Sequence, residues 1–215
     1  MAKQQSHLEE FLNSLSHGIG VGLSAIGLVF LIDLAVQSGD IKRIIAFSIY
    51  GVTLLLLYLA STLYHGAKSP RTKRILRICD HASIYLLIAG SYTPFCLITM
   101  PWEWGRLMLC ILWPIAIVGI IFKIFWVDRF ELLSTLLYIG MGWMTLIAIK
   151  PLFTGLSLAG FLLLGTGGLF YTFGTIFFTL DRIPFNHVIW HLFVLSGSIC
   201  HFFTVFLYVA PLIKS

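Results

Sequence analysis

Two histidines stand four residues apart at the head of the last apolar stretch, Asn186-His187-Val188-Ile189-Trp190-His191-Leu192. On a helix, residues four apart lie one turn above each other on the same face, about 6 Å apart along the axis. Both imidazoles can then reach one ion. Ligating groups inside a membrane-length apolar stretch are costly and mark a functional site by default. The pair alone is weak evidence, because a histidine at an aqueous helix end is often only an interfacial side chain. Other polar groups at the ends of apolar stretches give it context: Ser61 and His65 close the second, Asp80 and His81 open the third, and His17 enters the first.

Composition defines the elements that must position these residues. Of 215 residues, 59% are hydrophobic and 11% charged, and the mean hydropathy is +0.95. A soluble domain carries roughly 25% charged residues, so the chain reads as a polytopic membrane protein with no room for a second domain. Glu9 and Glu10 before the first apolar run, and the lack of a small-residue cleavage pattern after it, argue against a signal peptide. The cysteines Cys79, Cys96, Cys110 and Cys200 show no CxxC spacing, which disfavours a disulfide framework or a cysteine zinc site.

After a short polar segment, residues 1–16, seven apolar stretches follow at about 17–37, 43–65, 80–100, 106–126, 132–150, 156–179 and 187–211. Each is near the ~20 residues that cross a bilayer as a helix. Unpaired backbone is not tolerated in lipid and no barrel-like alternation is present, so the expected fold is an all-α bundle of seven transmembrane helices. Pro94 and Pro114 are expected to kink their helices. Tyr92 and Thr93 are read as satisfying backbone freed at that kink. The glycines of Gly18-xxx-Gly22 and the cluster Gly160, Gly165, Gly167, Gly168 and Gly174 read as close helix contacts. Trp102, Trp104 and Trp126 read as interfacial anchors and Trp143 as packing.

Lysine and arginine set the orientation. The side shared by the N-terminus and the second, fourth and sixth loops holds nine of them: Lys3, Lys68, Arg71, Lys73, Arg74, Arg77, Lys123, Arg129 and Arg182. The opposite side holds five: Lys42, Arg43, Arg106, Lys150 and Lys214. The excess predicts a cytoplasmic N-terminus and an external C-terminus. The basic stretch 68–77 is read as this topology signal, helped by anionic lipid, rather than as a nucleic-acid patch. With that topology Ser61, His65, Asp80, His187 and His191 share one layer near the cytoplasmic surface, with His17 at a similar depth. His201 is about 15 Å further along its helix than His191 and does not belong to that layer.

Three histidines and a carboxylate make a sensible zinc set. Catalytic zinc commonly keeps three protein ligands and an open fourth position, and a neutral shell leaves enough positive charge to lower the pKa of a bound water toward 7. Asp80, read as opening its helix where the N-terminus favours a carboxylate, could deprotonate that water. Ser61 could hold the water or an oxyanion. The bland alternative is an interhelical hydrogen-bond network without metal. His7 reads as a solvated tail residue. His81, about 100° from Asp80 around the helix, reads as packing or interface.

The ordered pattern Glu10…Asn13…His17, Ser61-xxx-His65, Asp80, Gly90-Ser91-Tyr92-Thr93-Pro94 and His187-xxx-His191 resembles the hemolysin III family. That family is the bacterial branch of the progestin and adipoQ receptors, related to alkaline ceramidases, and the resemblance spans nearly the whole chain. It implies a seven-helix protein of the bacterial inner membrane with an intracellular N-terminus. It also implies a zinc ion on His65, His187 and His191, with Asp80 and Ser61 beside it. Only about sixteen residues precede the first apolar stretch, which argues against the hormone-receptor role of the eukaryotic members. Three functions follow as expectations. The first is a zinc-dependent hydrolase of a lipid amide or ester. The second is a sensor or signalling protein in which zinc is structural. The third, suggested by the family name, is a cytolytic pore, disfavoured because no helix carries a repeated polar stripe. A membrane lipid is the expected substrate or ligand.

Overall fold

The computed structural model describes residues 5–180 and 182–211. Lys3 and Lys214 therefore lie outside the described residues. The chain forms α1 (His7–Ser38), α2 (Ile41–Gly66), α3 (Pro70–Pro94), α4 (Trp102–Trp126), α5 (Glu131–Gly142), α6 (Ile149–Gly155), α7 (Leu158–Thr179) and α8 (Asn186–Thr204). Among the described residues, six helices are long and apolar enough to cross a membrane. A seventh crossing arises if Glu131–Leu146 and Ile149–Gly155, bent by 59° to each other, count as one broken span. The molecule is a polytopic all-α membrane protein, with no strand among the described residues.

Two helices start earlier than the apolar stretches suggest. Helix α1 begins at His7, ten residues before His17, because Ser6 and Glu9 close a reciprocal capping box. The Ser6 amide donates to Glu9 Oε2 at 2.7 Å, and the Glu9 amide to Ser6 Oγ at 3.2 Å. Leu8, Phe11, Leu15 and Ile19 face outward along this start, while Glu9, Asn13, Ser16 and His17 face in. Helix α3 begins at Pro70, a residue suited to a first helical turn. Asp80 thus sits in the third turn rather than at the helix start, so the helix N-terminus does not account for its charge as expected, since that effect fades within the first turn.

Helix packing refines the glycine reading. The buried residues of α7 are Gly160, Gly167 and Gly174, a spacing of seven that keeps one seam against α8. A Cβ at Gly167 would collide with His201, and one at Gly174 would lie 2.7 Å from Phe193 Cβ. Gly165 has no neighbour within 4 Å, and neither does Gly22. On α1 the close approaches are instead at Gly20, against Tyr58, and at Gly27, against Phe202.

Pro94 ends the regular part of α3, and a π-helical run, Phe95–Thr99, replaces it. Thr93 Oγ1 donates to the Ala89 carbonyl at 3.0 Å, a local bond near that transition. Tyr92 acts elsewhere. Its hydroxyl points at the carbonyls of Gly142 (2.6 Å) and Met141 (3.1 Å) and accepts from the Thr145 amide at 2.9 Å. Tyr92 therefore serves the break between α5 and α6, where backbone groups lose their helical partners.

Candidate metal centre

Two helices deliver the three histidines. His65 is the second-last residue of α2, and His187 and His191 occupy the first two turns of α8. One ligand nitrogen from each lies within 4.8 Å of the other two, and His65 and His191 are buried while His187 is half-buried. The ring centroids form a nearly equal triangle of 5.1, 5.0 and 4.7 Å. Donors sharing one zinc ion stand ~3.3 Å apart at usual zinc–nitrogen lengths, so small side-chain rotations close the set.

The unused ring nitrogens test whether these residues fit a metal. His65 Nδ1 lies 2.7 Å from Glu10 Oε2, which fixes the proton on that nitrogen. His65 Nε2 is buried and has no hydrogen-bond partner among the described residues. His191 Nδ1 faces the Asn13 carbonyl and Ser16 Oγ, each at 3.2 Å. A metal-binding histidine has this form: one nitrogen donates to an oxygen, and the other is left for the ion. The residues fit.

Asp80 and Ser61 reach the same place from α3 and α2. Both line a cavity of about 380 Å³ that also touches His187 and His191. Ser61 Oγ is buried, makes no hydrogen bond of ordinary geometry among the described residues, and lies beside the Asp80 carboxylate. The rest of the wall is largely apolar, with Leu57, Ile84, Leu87, Phe95, Ile139 and Phe161 among its residues. A second cavity of about 1300 Å³ reaches His65 and His187 from the other direction, past Glu10, Lys68, Lys73 and Arg77. His187 lines both. The histidines thus stand between an apolar chamber and a charged vestibule.

The remaining histidines fall outside the set of three. His17 stacks on His191 with ring centroids 3.6 Å apart and planes within 12°, and neither of its buried ring nitrogens has a hydrogen-bond partner among the described residues. His81 is buried against Phe178 and lines both cavities, so it packs inside rather than at the interface. His201 lies toward the far end of the apolar chamber beside Tyr171. His7 is exposed.

Comparison with known proteins shows the family of the chain. The family model described as "Haemolysin-III related" matches residues 5–202. The chain belongs to the haemolysin-III-related family. "Hemolysin-3" of Bacillus cereus is 52% identical over 203 residues, covering 94% of this chain and 93% of that one. "Hemolysin-3 homolog" of Bacillus subtilis (strain 168) is 53% identical over 200 residues, covering 93% and 94%. A more distant relative, the "Monocyte to macrophage differentiation factor" of Homo sapiens, is 27% identical over 207 residues, covering 94% and 84%.

Sequence reasoning missed part of this haemolysin-III-related site. It placed Glu10, Asn13 and Ser16 in a polar leader, whereas they form the inner face of α1 and contact two of the three histidines. The available signal was the spacing 9, 10, 13, 16 and 17, a polar stripe at helical period between apolar Leu8, Phe11 and Leu15. Lys73, read only as a topology charge, pairs with Glu10.

Proposed function

We propose that this protein is a zinc-dependent hydrolase of a lipid amide or ester, with His65, His187 and His191 as metal ligands. The observation that carries the reading is the position of that donor set, at one end of a largely apolar chamber of about 380 Å³ that also holds Ser61 and Asp80. Zinc bound there supplies a Lewis acid and a nucleophilic water near neutral pH. Asp80 accepts a proton from the attacking water on a carboxylate oxygen and returns it to the departing amine or alcohol. Ser61 Oγ donates its hydrogen to the oxygen of the carbonyl under attack. The chamber wall binds the acyl chain by burying apolar surface, at about 25 cal/mol per Å². Water plus the lipid gives a free acid and an amine or alcohol.

The second reading is a zinc-stabilised membrane sensor. It draws on the fact that the donor set spans two helices, α2 and α8, so that an ion there would pin them together. The haemolysin names of the Bacillus relatives describe those proteins; an apolar chamber suits a lipid tail better than an aqueous pore. In either reading the protein lies in the bacterial inner membrane with its N-terminus cytoplasmic and its C-terminus outside, which reporter fusions at both termini can check.

Purified protein incubated with a bacterial lipid extract separates the two readings. Fatty acid release that stops on chelation and returns with added zinc supports the hydrolase. A zinc-replete protein that releases no acid from any lipid class removes it and leaves the sensor.

A further inference from the structure

We propose that the first helix, which contributes no ligand, is the clamp that sets the metal affinity of the centre, with Glu10 as its principal positioning residue. The inference rests on the metal centre proposed above but not on its hydrolytic activity. It begins with the cytoplasmic end of α1. Glu9, locked in the capping box, also accepts from the Phe185 amide with Oε1 at 3.3 Å. Phe185 is the residue before α8 and has φ of 56°, a left-handed conformation that a bulky side chain adopts only when its surroundings hold it there. Glu9 thus holds the entry to α8, two residues before His187.

One residue on, Glu10 takes His65 Nδ1 at 2.7 Å. Its other oxygen, Oε1, pairs with Lys73 of α3. The carboxylate is therefore fixed from both sides, and it dictates that His65 offers Nε2, and not Nδ1, to the centre. About one and two turns later, the Asn13 carbonyl and Ser16 Oγ take His191 Nδ1. The ring of His17 then lies flat against that of His191. Along about two turns, α1 fixes the entry to α8 and the free nitrogen of two ligands. The polar stripe of α1 is thereby accounted for by geometry: each member facing the centre orients something that touches it.

Outer partners of metal-binding histidines typically change affinity about 10–100-fold when removed. Glu10→Ala removes both the acceptor for His65 and the anchor of Lys73. Glu10→Gln keeps an acceptor oxygen for the Nδ1 hydrogen but loses the charge. The test is a zinc dissociation constant, measured on the full detergent-solubilised chain by competition with a calibrated chelator, together with the absorption spectrum of the cobalt-substituted protein. Glu10→Ala should weaken zinc about 10–100-fold and alter the cobalt bands. Glu10→Gln should recover most of that loss, which a mere loss of fold would not allow. Should Glu10→Ala fail to fold, Lys73→Met supplies the second arm, releasing the carboxylate without touching His65 and weakening zinc by a smaller factor. Wild-type affinity in Glu10→Ala, or in Lys73→Met where that arm is used, overturns the clamp and leaves the metal centre intact. A wild-type chain that binds no zinc removes the centre and the clamp together.

Discussion

Helix α8 carries histidines to two levels of the same apolar chamber, and the levels differ in their surroundings. At the level of the α8 N-terminus His187 and His191 meet His65, and α1 supplies an oxygen for the second nitrogen of two of the three. At the deeper level His201 stands without a second histidine, edge-on to Tyr171 and fitted into the space left by Gly167. Both levels contain buried imidazole nitrogens without a hydrogen-bond partner among the described residues, at His65 Nε2 and at His201 Nε2. A buried polar atom without a partner costs about 1–3 kcal/mol, so this cost alone does not distinguish a ligand from a packing residue. Convergence does. Three ring nitrogens within 4.8 Å of one another can share an ion, whereas one against a glycine makes a contact.

The largest effect should come from removing two of the converging rings. His187→Ala with His191→Ala should abolish bound zinc, read as metal per chain by elemental analysis, while His201→Ala should leave it unchanged. Equal losses in the two proteins would erase the contrast between the levels.

The next effect sharpens the contrast within the level of His65, His187 and His191, between ligands and the groups beside them. Asp80→Asn keeps shape and hydrogen bonding but cannot take a proton. Zinc should be retained to within about 10–100-fold in affinity, and lipid turnover should fall by about 10²–10⁴. Wild-type turnover in that variant would take Asp80 out of the reaction.

The smallest effect should appear at the chamber wall away from the histidines. Tyr92→Phe leaves the carbonyls of Met141 and Gly142 without their hydroxyl partner. The loss should be about 1–3 kcal/mol, seen as a lower Tm with zinc content unchanged. A fall in zinc content would show that the α5–α6 break and the metal centre are coupled.

These elements also differ in how legible they were. The histidines and Asp80 were readable because a polar side chain within an apolar stretch is conspicuous, and because helical rise alone sorts residues into layers. The separation of His201 from His191 followed from the same arithmetic. The starts of α1 and α3 were not readable by hydropathy, since both helices begin ten residues before the apolar stretches assigned to them, in segments whose polar face is solvated or points at the centre. The break at Trp143–Leu146 was equally hidden. Its residues are apolar enough to continue a span, and the compensating group, Tyr92, comes from another helix. Side-chain chemistry shows in one dimension; a backbone repair made by a tertiary contact does not.

The central claim is that three imidazoles, one from α2 and two from α8, hold a zinc ion at the mouth of the apolar chamber. X-ray absorption at the zinc edge of the detergent-purified full chain measures this most directly. The account predicts one zinc per chain with a nitrogen shell at about 2.0–2.1 Å and the outer-ring scattering of three imidazoles. A sulfur shell near 2.3 Å, or fewer than three imidazoles around the ion, would contradict it.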